Sequence, residues 1–173
     1  CLSFLSAEER QRAQRFVFDH HRDRYVVAHG VLRHVLALYC ATAPHSLSFA
    51  QLPGGKPILS PGGDAAAGVR FNLAHSGSRA LLAVAARREV GVDLEQHRST
   101  LDVLSIARNY FFGSEREAIE AAPEDERGAV FLRYWVAKEA VLKAQGVGLG
   151  YPLDQFAVQL AESPERAAVV SFD

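Results

Sequence analysis

The pattern of apolar and polar positions divides the chain into four stretches of alternating character. Near the start, Ser6 and Glu9 stand three residues apart, the spacing of a capping box, and predict a first helix from about Ala7 toward Phe18. Tyr25, Ala28, Leu32, Val35, Leu36 and Tyr39 then recur at helical spacing and predict a longer helix from about Arg22 to Thr42, with Pro44 just beyond its end. Leu52 to Gly68 is rich in Gly and Pro and reads as loop, with Gly54-Gly55-Lys56-Pro57 as a tight turn that presents a lysine. The period then drops to two. Val69–Leu73, Ala80–Ala86 and Glu89–Glu95 read as strands, the last with Val90, Val92 and Leu94 on one face. Helices return: one near Leu101 to Tyr110 capped by Ser99 or Thr100, one begun by a Ser114/Glu117 capping box, and the strongest from Asp125 to Gln145, stopped by Gly146-Val147-Gly148. Phe156–Leu160 and Ala167–Phe172 read as closing strands. The order helices, strands, helices, strands predicts an α+β fold of two similar halves, residues 1–87 and 88–173, rather than a doubly wound α/β sheet.

Composition narrows the function classes more than the fold. Of 173 residues, 49% are apolar and 23% charged, enough for a sizeable core. The formal net charge is -1, so any hold on an anion must come from local clustering, and neither nucleic acid nor an acidic membrane is indicated. The apolar stretch from Val26 to Ala43 is broken by His29, Arg33 and His34 and cannot span a membrane. Two cysteines, Cys1 and Cys40, make no disulfide framework, so a reducing, cytoplasmic setting is the expectation. The chain opens on Cys and holds no Met, so it is expected to be part of a longer one.

Four groups of residues carry candidate chemistry, and each has an ordinary reading beside it. Asp93 and Glu95, two apart on a strand, share a face, where their charges repel unless a hard cation such as Mg²⁺ lies between them; the ordinary reading is a polar strand end. Glu139 falls on the apolar stripe of its helix, four residues after Trp135, and needs a cation or a hydrogen-bond network there. With Lys143 one turn on, it otherwise forms an unremarked i,i+4 pair, and Lys138 reads as a solvated charge. His75, at a strand end before Ser76-Gly77, is placed to meet a phosphate or carry a proton, or else is merely exposed. Arg10, Arg12, Arg15, Arg22, Arg24 and Arg33 suit phosphate, but Glu8, Glu9, Asp19 and Asp23 lie among them, as on a mixed-charge solvated face.

Taken in order, Gly55-Lys56-Pro57, Phe71-Asn72-Leu73-Ala74-His75-Ser76-Gly77, Val90-Gly91-Val92-Asp93-Leu94-Glu95 and Trp135-Val136-Ala137-Lys138-Glu139-Ala140-Val141-Leu142-Lys143 resemble the Sfp-type 4'-phosphopantetheinyl transferases, the larger, pseudo-dimeric class. The resemblance implies two α+β halves related by a pseudo-twofold axis, with coenzyme A in the cleft between them. The N-terminal half would contact the nucleotide and the C-terminal half would hold the metal and the catalytic groups. It implies transfer of phosphopantetheine from coenzyme A to a serine of an apo acyl or peptidyl carrier protein, with release of 3',5'-ADP, by a cytoplasmic monomer of polyketide, nonribosomal peptide or fatty-acid biosynthesis. By motif matching, Asp93, Glu95 and Glu139 would bind Mg²⁺ or Mn²⁺. Glu139 would deprotonate the serine, Lys143 would assist the leaving group, and Arg12, Arg24, Lys56, Pro57 and His75 would contact the nucleotide, His75 also serving in catalysis. Ala74 stands where the family often has Ser. Family members also begin with a strand before Leu2 and continue past Leu160 with more sheet, so terminal strands are expected to be missing. Two rivals remain: a binding module of impaired activity, and a metal-dependent nuclease. The nuclease lacks the Glu-x-Lys it would need, since Gln96 and His97 follow Glu95, and lacks positive charge.

Overall fold

The computed structural model describes residues 1–60, 68–97, 101–160 and 169–172. It is an α+β protein, with five α-helices and three two-stranded antiparallel sheets among the described residues. Helix α1 (Ala7–Gln14) starts on a full capping box: Ser6 Oγ accepts from Glu9 N, and the Glu9 carboxylate accepts from Ser6 N. Helix α2 (Asp19–Cys40) begins three residues earlier than its apolar spacing predicts, and α1 stops four residues earlier, at Gln14. Strands β1 (Phe49–Gln51) and β2 (Pro57–Leu59) pair across the glycine turn. Strands β3 (Val69–Ser76) and β4 (Arg79–Ala86) form the longest hairpin. The second part of the chain holds α3 (Val103–Tyr110), α4 (Gly113–Ala121), α5 (Arg127–Gln145) and the pair β5 (Phe156–Gln159) and β6 (Val169–Phe172).

Three apolar clusters fix these elements. Leu32, Leu36 and Ala37 of α2 pack on Leu47, Leu59 and Phe71. Ala107, Phe111, Ile119 and Phe131 join α3, α4 and α5, with the rings of Phe111 and Phe131 stacked at 5.1 Å. Leu142 of α5 meets Phe156 and Val158 of β5.

Several elements depart from the sequence reading. Residues 89–97 form no strand; side chains rather than a backbone ladder hold this segment against β3. Ser99 and Thr100 lie outside the described residues, and α3 is capped by Asp102, whose Oδ1 accepts from Ser105 N. Helix α4 starts at Gly113, and Glu115, not Ser114 with Glu117, closes its first turn by accepting from Phe112 N.

Glu115 and Lys138 are the main correction to the expected surface. Lys138 is fully buried rather than solvated, and Glu115 is buried beside it. The ammonium meets Glu115 at 2.9 Å and donates to the carbonyls of Leu153 and Phe156, while Glu115 also accepts from Val158 N at 2.8 Å. Burial lowers the Lys138 pKa and Glu115 opposes that shift. Every strong donor and acceptor of the pair is used, which is the condition under which a buried ion pair is tolerated.

In the N-terminal part, Glu9 accepts from Arg33 Nε at 2.5 Å and lies 3.4 Å from His29 Nδ1. Burial pushes its carboxyl upward, but the bonds from His29, Arg33 and Ser6 outweigh that and hold it at about 2, down from 4.5.

Two measurements check this architecture. Lys138→Ala strands the buried Glu115 and is expected to cost about 3–5 kcal/mol in urea unfolding; a loss under about 1 kcal/mol would show that the pair does not fasten α4 to α5 and β5. Because Glu9 has a depressed folded pKa, its stabilisation is full above about pH 4.5 and disappears as pH falls through about 2. Glu9→Gln should therefore lower the melting temperature near neutrality, with the gap to wild type closing toward pH 2. A gap independent of pH would contradict the assignment.

Candidate active site

The acid residues come together because backbone meets backbone. A Cβ on Gly91 would lie 1.9 Å from the carbonyl oxygen of Ala140, so the segment that carries Asp93 runs directly on α5. A Cβ on Gly54 would lie 2.0 Å from the carbonyl oxygen of Gly146, so the β1–β2 turn closes on the end of the same helix. Any side chain at either position would force these elements apart.

Lys56 locks the junction. Its Nζ donates to Glu89 Oε2 at 2.7 Å, to the Val90 carbonyl at 3.1 Å and to the Ala144 carbonyl at 2.8 Å. The side chain is buried and all three ammonium hydrogens are spent. Lys56 is thus a structural clamp in this arrangement rather than the solvated charge that is ordinary for a loop lysine. The Ala144 carbonyl belongs to the last turn of α5, where carbonyls lack helical partners and a cation is favoured.

The result is a cleft of about 530 Å³ lined by Asp93, Glu95, Glu139 and Lys143, with Lys56, Pro57, Asn72 and Trp135 around them. Asp93 and Glu139 have buried side chains, and Asp93 Oδ2 and Glu139 Oε1 have no hydrogen-bond partner among the described residues. Lys143 Nζ bonds Asp93 Oδ1, so the lysine pairs across to the acid segment rather than back to Glu139 on its own helix. The Glu139 pKa is raised by burial first and by Asp93 next, with Lys143 opposing and Glu95 adding a smaller push. Glu95 itself is exposed. Among the described residues no three His, Cys, Asp or Glu side chains are already drawn round a single point. The donor set nevertheless fits a hard divalent cation: all its donors are carboxylate oxygens, and the two orphaned ones are buried where an unpaired acceptor is costly.

A second cleft, about 980 Å³, adjoins the first through Glu95. Arg12, Arg24, His75 and Arg79 line it, with Ser76, Gly77 and Gln96. Arg12 lies 5.4 Å over the Tyr25 ring, and His75 also borders a third recess with Arg12, Pro57 and Phe71. The basic residues singled out in the sequence, Arg12, Arg24 and His75, therefore share one wall system beside the acids. Ala74 is buried, on the β3 face that also carries Asn72 and Ser76.

Sequence reasoning passed over Asn72, Ser76 and Arg79. Asn72 is buried between Phe71 and Leu73, and a buried amide inside an apolar strand is itself a signal that a partner must exist. That partner is Val92 N, 2.8 Å from Asn72 Oδ1. Arg79 carried no signal, since an arginine after a Gly-Ser turn is ordinary.

The sequence model of the 4'-phosphopantetheinyl transferase superfamily matches residues 89–172, and that of the 4'-phosphopantetheinyl transferase N-terminal region matches residues 1–87. The chain is 42% identical over 166 residues to the 4'-phosphopantetheinyl transferase HetI of Nostoc sp., covering 95% of this chain and 68% of that protein. It is 30% identical over 159 residues to the 4'-phosphopantetheinyl transferase Sfp of Bacillus subtilis, covering 92% and 68%. A putative 4'-phosphopantetheinyl transferase of Synechocystis sp. is 33% identical over 159 residues, and this chain spans 61% of its length. With acid and basic clefts built from the very segments that carry the motifs, and with both family models matched end to end along it, the chain belongs to the 4'-phosphopantetheinyl transferase superfamily.

Proposed function

We propose that this chain transfers 4'-phosphopantetheine from coenzyme A to the serine hydroxyl of an apo acyl or peptidyl carrier protein. One observation carries the reading: Asp93, Glu95, Glu139 and Lys143, drawn from two remote segments, line one cleft that opens through Glu95 onto a wall of Arg12, Arg24 and His75. A pyrophosphate needs charge neutralisation at its bridging oxygens, and a phosphorylated nucleoside needs cationic donors beside it.

Asp93, Glu95 and Glu139 would hold Mg²⁺ or Mn²⁺ by oxygen. When bound, the ion neutralises the pyrophosphate and the developing charge on the leaving group. The chain's own residues do the rest. Arg12, Arg24 and His75 grip the nucleotide end and its phosphate, with Pro57 at the border of the two regions. Glu139 takes the proton of the carrier serine as its oxygen bonds to the pantetheine-bearing phosphorus. The bond from that phosphorus to the 3',5'-ADP oxygen breaks, and Lys143 offers its ammonium to the departing phosphate. The division into residues 1–87 and 88–173 places the nucleotide contacts in the first half and the acids in the second, a division supported by where the two family models match.

The setting proposed is the reducing cytoplasm, since Cys1 and Cys40 are both free thiols. No helix among the described residues is long and apolar enough to cross a membrane. A monomer suffices, because every group named above comes from one chain.

Intact-mass spectrometry of an apo carrier incubated with the protein, coenzyme A and Mg²⁺ should show the phosphopantetheine mass gain. Glu139→Gln should slow it at least about 100-fold, and a chelator should stop it. Failure of wild-type protein on acyl and peptidyl carriers alike would refute the transferase reading. Arg24→Ala should raise KM for coenzyme A about tenfold with kcat little changed, the pattern of a lost ground-state contact. Equal losses in kcat and kcat/KM would instead put Arg24 at the reacting centre.

A further inference from the structure

The acid-bearing segment is held in place in an unusual way. Residues 89–97 belong to no sheet, yet the segment runs beside β3 in the parallel sense. Two side chains of β3 do the holding. Asn72 Oδ1 accepts from Val92 N at 2.8 Å, and Ser76 Oγ accepts from Gln96 N at 3.0 Å. Both contacts join residues 20 apart in sequence, so the two strides of four residues lie side by side in register. Asn72 and Ser76 lie on one face of β3, with the small, buried Ala74 between them. Asp93 and Glu95 fall between the two anchored amides.

Ser76 does more than hold backbone. Its hydroxyl hydrogen is directed to Glu95 Oε2 at 3.1 Å while its oxygen accepts from the next residue's amide. Glu95 is exposed and has no ion pair among the described residues, so without this contact its carboxylate is free to swing toward either cleft. We propose that Ser76 is a positioning residue for the cation-binding acids: through Gln96 N it fixes the height of the segment, and through Glu95 Oε2 it fixes the rotamer of the one acid that is not buried. Asn72 is its counterpart at the other end, setting the backbone at Val92 just before Asp93. The inference rests on the proposed metal-binding role of Asp93, Glu95 and Glu139.

A carboxylate that binds metal is commonly oriented by a hydrogen-bond donor behind it, and loss of that donor weakens metal affinity by about tenfold or more. Neither Asn72 nor Ser76 need touch a substrate to exert such an effect.

The test is Mn²⁺ binding to the resting protein, read by electron paramagnetic resonance without coenzyme A or carrier, on wild type, Ser76→Ala, Ser76→Thr and Asp93→Asn. Circular dichroism and melting temperature report folding. Ser76→Ala should keep the wild-type melting profile and weaken Mn²⁺ binding about tenfold. Ser76→Thr, which keeps the hydroxyl, should restore most of the affinity. In turnover, Ser76→Ala should raise the Mg²⁺ concentration giving half-maximal rate by the same factor and leave the rate at saturating Mg²⁺ close to wild type. Unchanged Mn²⁺ affinity in Ser76→Ala overturns the proposal, as does a loss that Ser76→Thr fails to rescue. If Asp93→Asn binds Mn²⁺ as well as wild type does, the fault lies in the assignment of the metal site instead. Should Ser76→Ala unfold, Ser76→Thr together with Ser76→Cys, a weaker donor of similar size, gives the same ordering of affinities.

Discussion

The Lys56 ammonium is the point on which the site depends. It bonds the two residues that lead into the acid segment, Glu89 and Val90, and a terminal carbonyl of α5, the helix that supplies Glu139 and Lys143. A buried cation with three acceptors around it has a single comfortable position, so it sets the spacing between these elements to within a hydrogen bond. Two bare glycine surfaces make that spacing attainable. Gly91 lets the segment rest on the Ala140 carbonyl, and Gly54 lets the turn before Lys56 rest on Gly146. The cleft is what is left open once these contacts are made.

A second buried pair, Glu115 with Lys138, serves α5 from the other side. Lys138 and Glu139 are neighbours with opposite tasks. Lys138 is fully satisfied by Glu115 and two carbonyls and faces the α4 and β5 packing, whereas Glu139 faces the cleft with one oxygen unpaired among the described residues. Adjacent residues on a helix point about a third of a turn apart, so one helix can present a closed polar joint and an open one side by side.

Much of this was legible from sequence, and for physical reasons. The long helices and the β3–β4 hairpin repeat one pattern over many residues, so period and element agree. Glu139 stood out because a carboxylate on an apolar helical stripe contradicts its neighbours, Asp93 and Glu95 because two carboxylates share one face, and Lys143 only through the motif it completes. Two kinds of feature escaped. Residues 89–97 alternate like a strand, and the alternation does decide which side chains point together, but a strand also needs a backbone partner, and here Asn72 and Ser76 take the partner's place. Lysines escaped in the opposite direction. Lys56 and Lys138 each sit where a solvated charge is the ordinary expectation, and only the three-dimensional arrival of Glu89 and Glu115, 33 and 23 residues away, turns them inward.

The lacing of the acid segment to β3 also bears on which changes of chain length the fold can absorb. A ladder of backbone bonds would tolerate an inserted residue as a bulge, since neighbouring rungs re-form around it. Two side-chain rungs four residues apart have no such slack. One residue added between Asp93 and Glu95 would break a rung and turn the two acids to opposite sides. The bend between Ala86 and Glu89 carries neither of these two rungs, but Arg87 N bonds the Gly68 carbonyl at its start and Lys56 and Arg70 hold Glu89 at its end. Insertions and deletions that accumulate over descent are therefore kept out of the five residues from Val92 to Gln96, whose number is fixed by geometry alone.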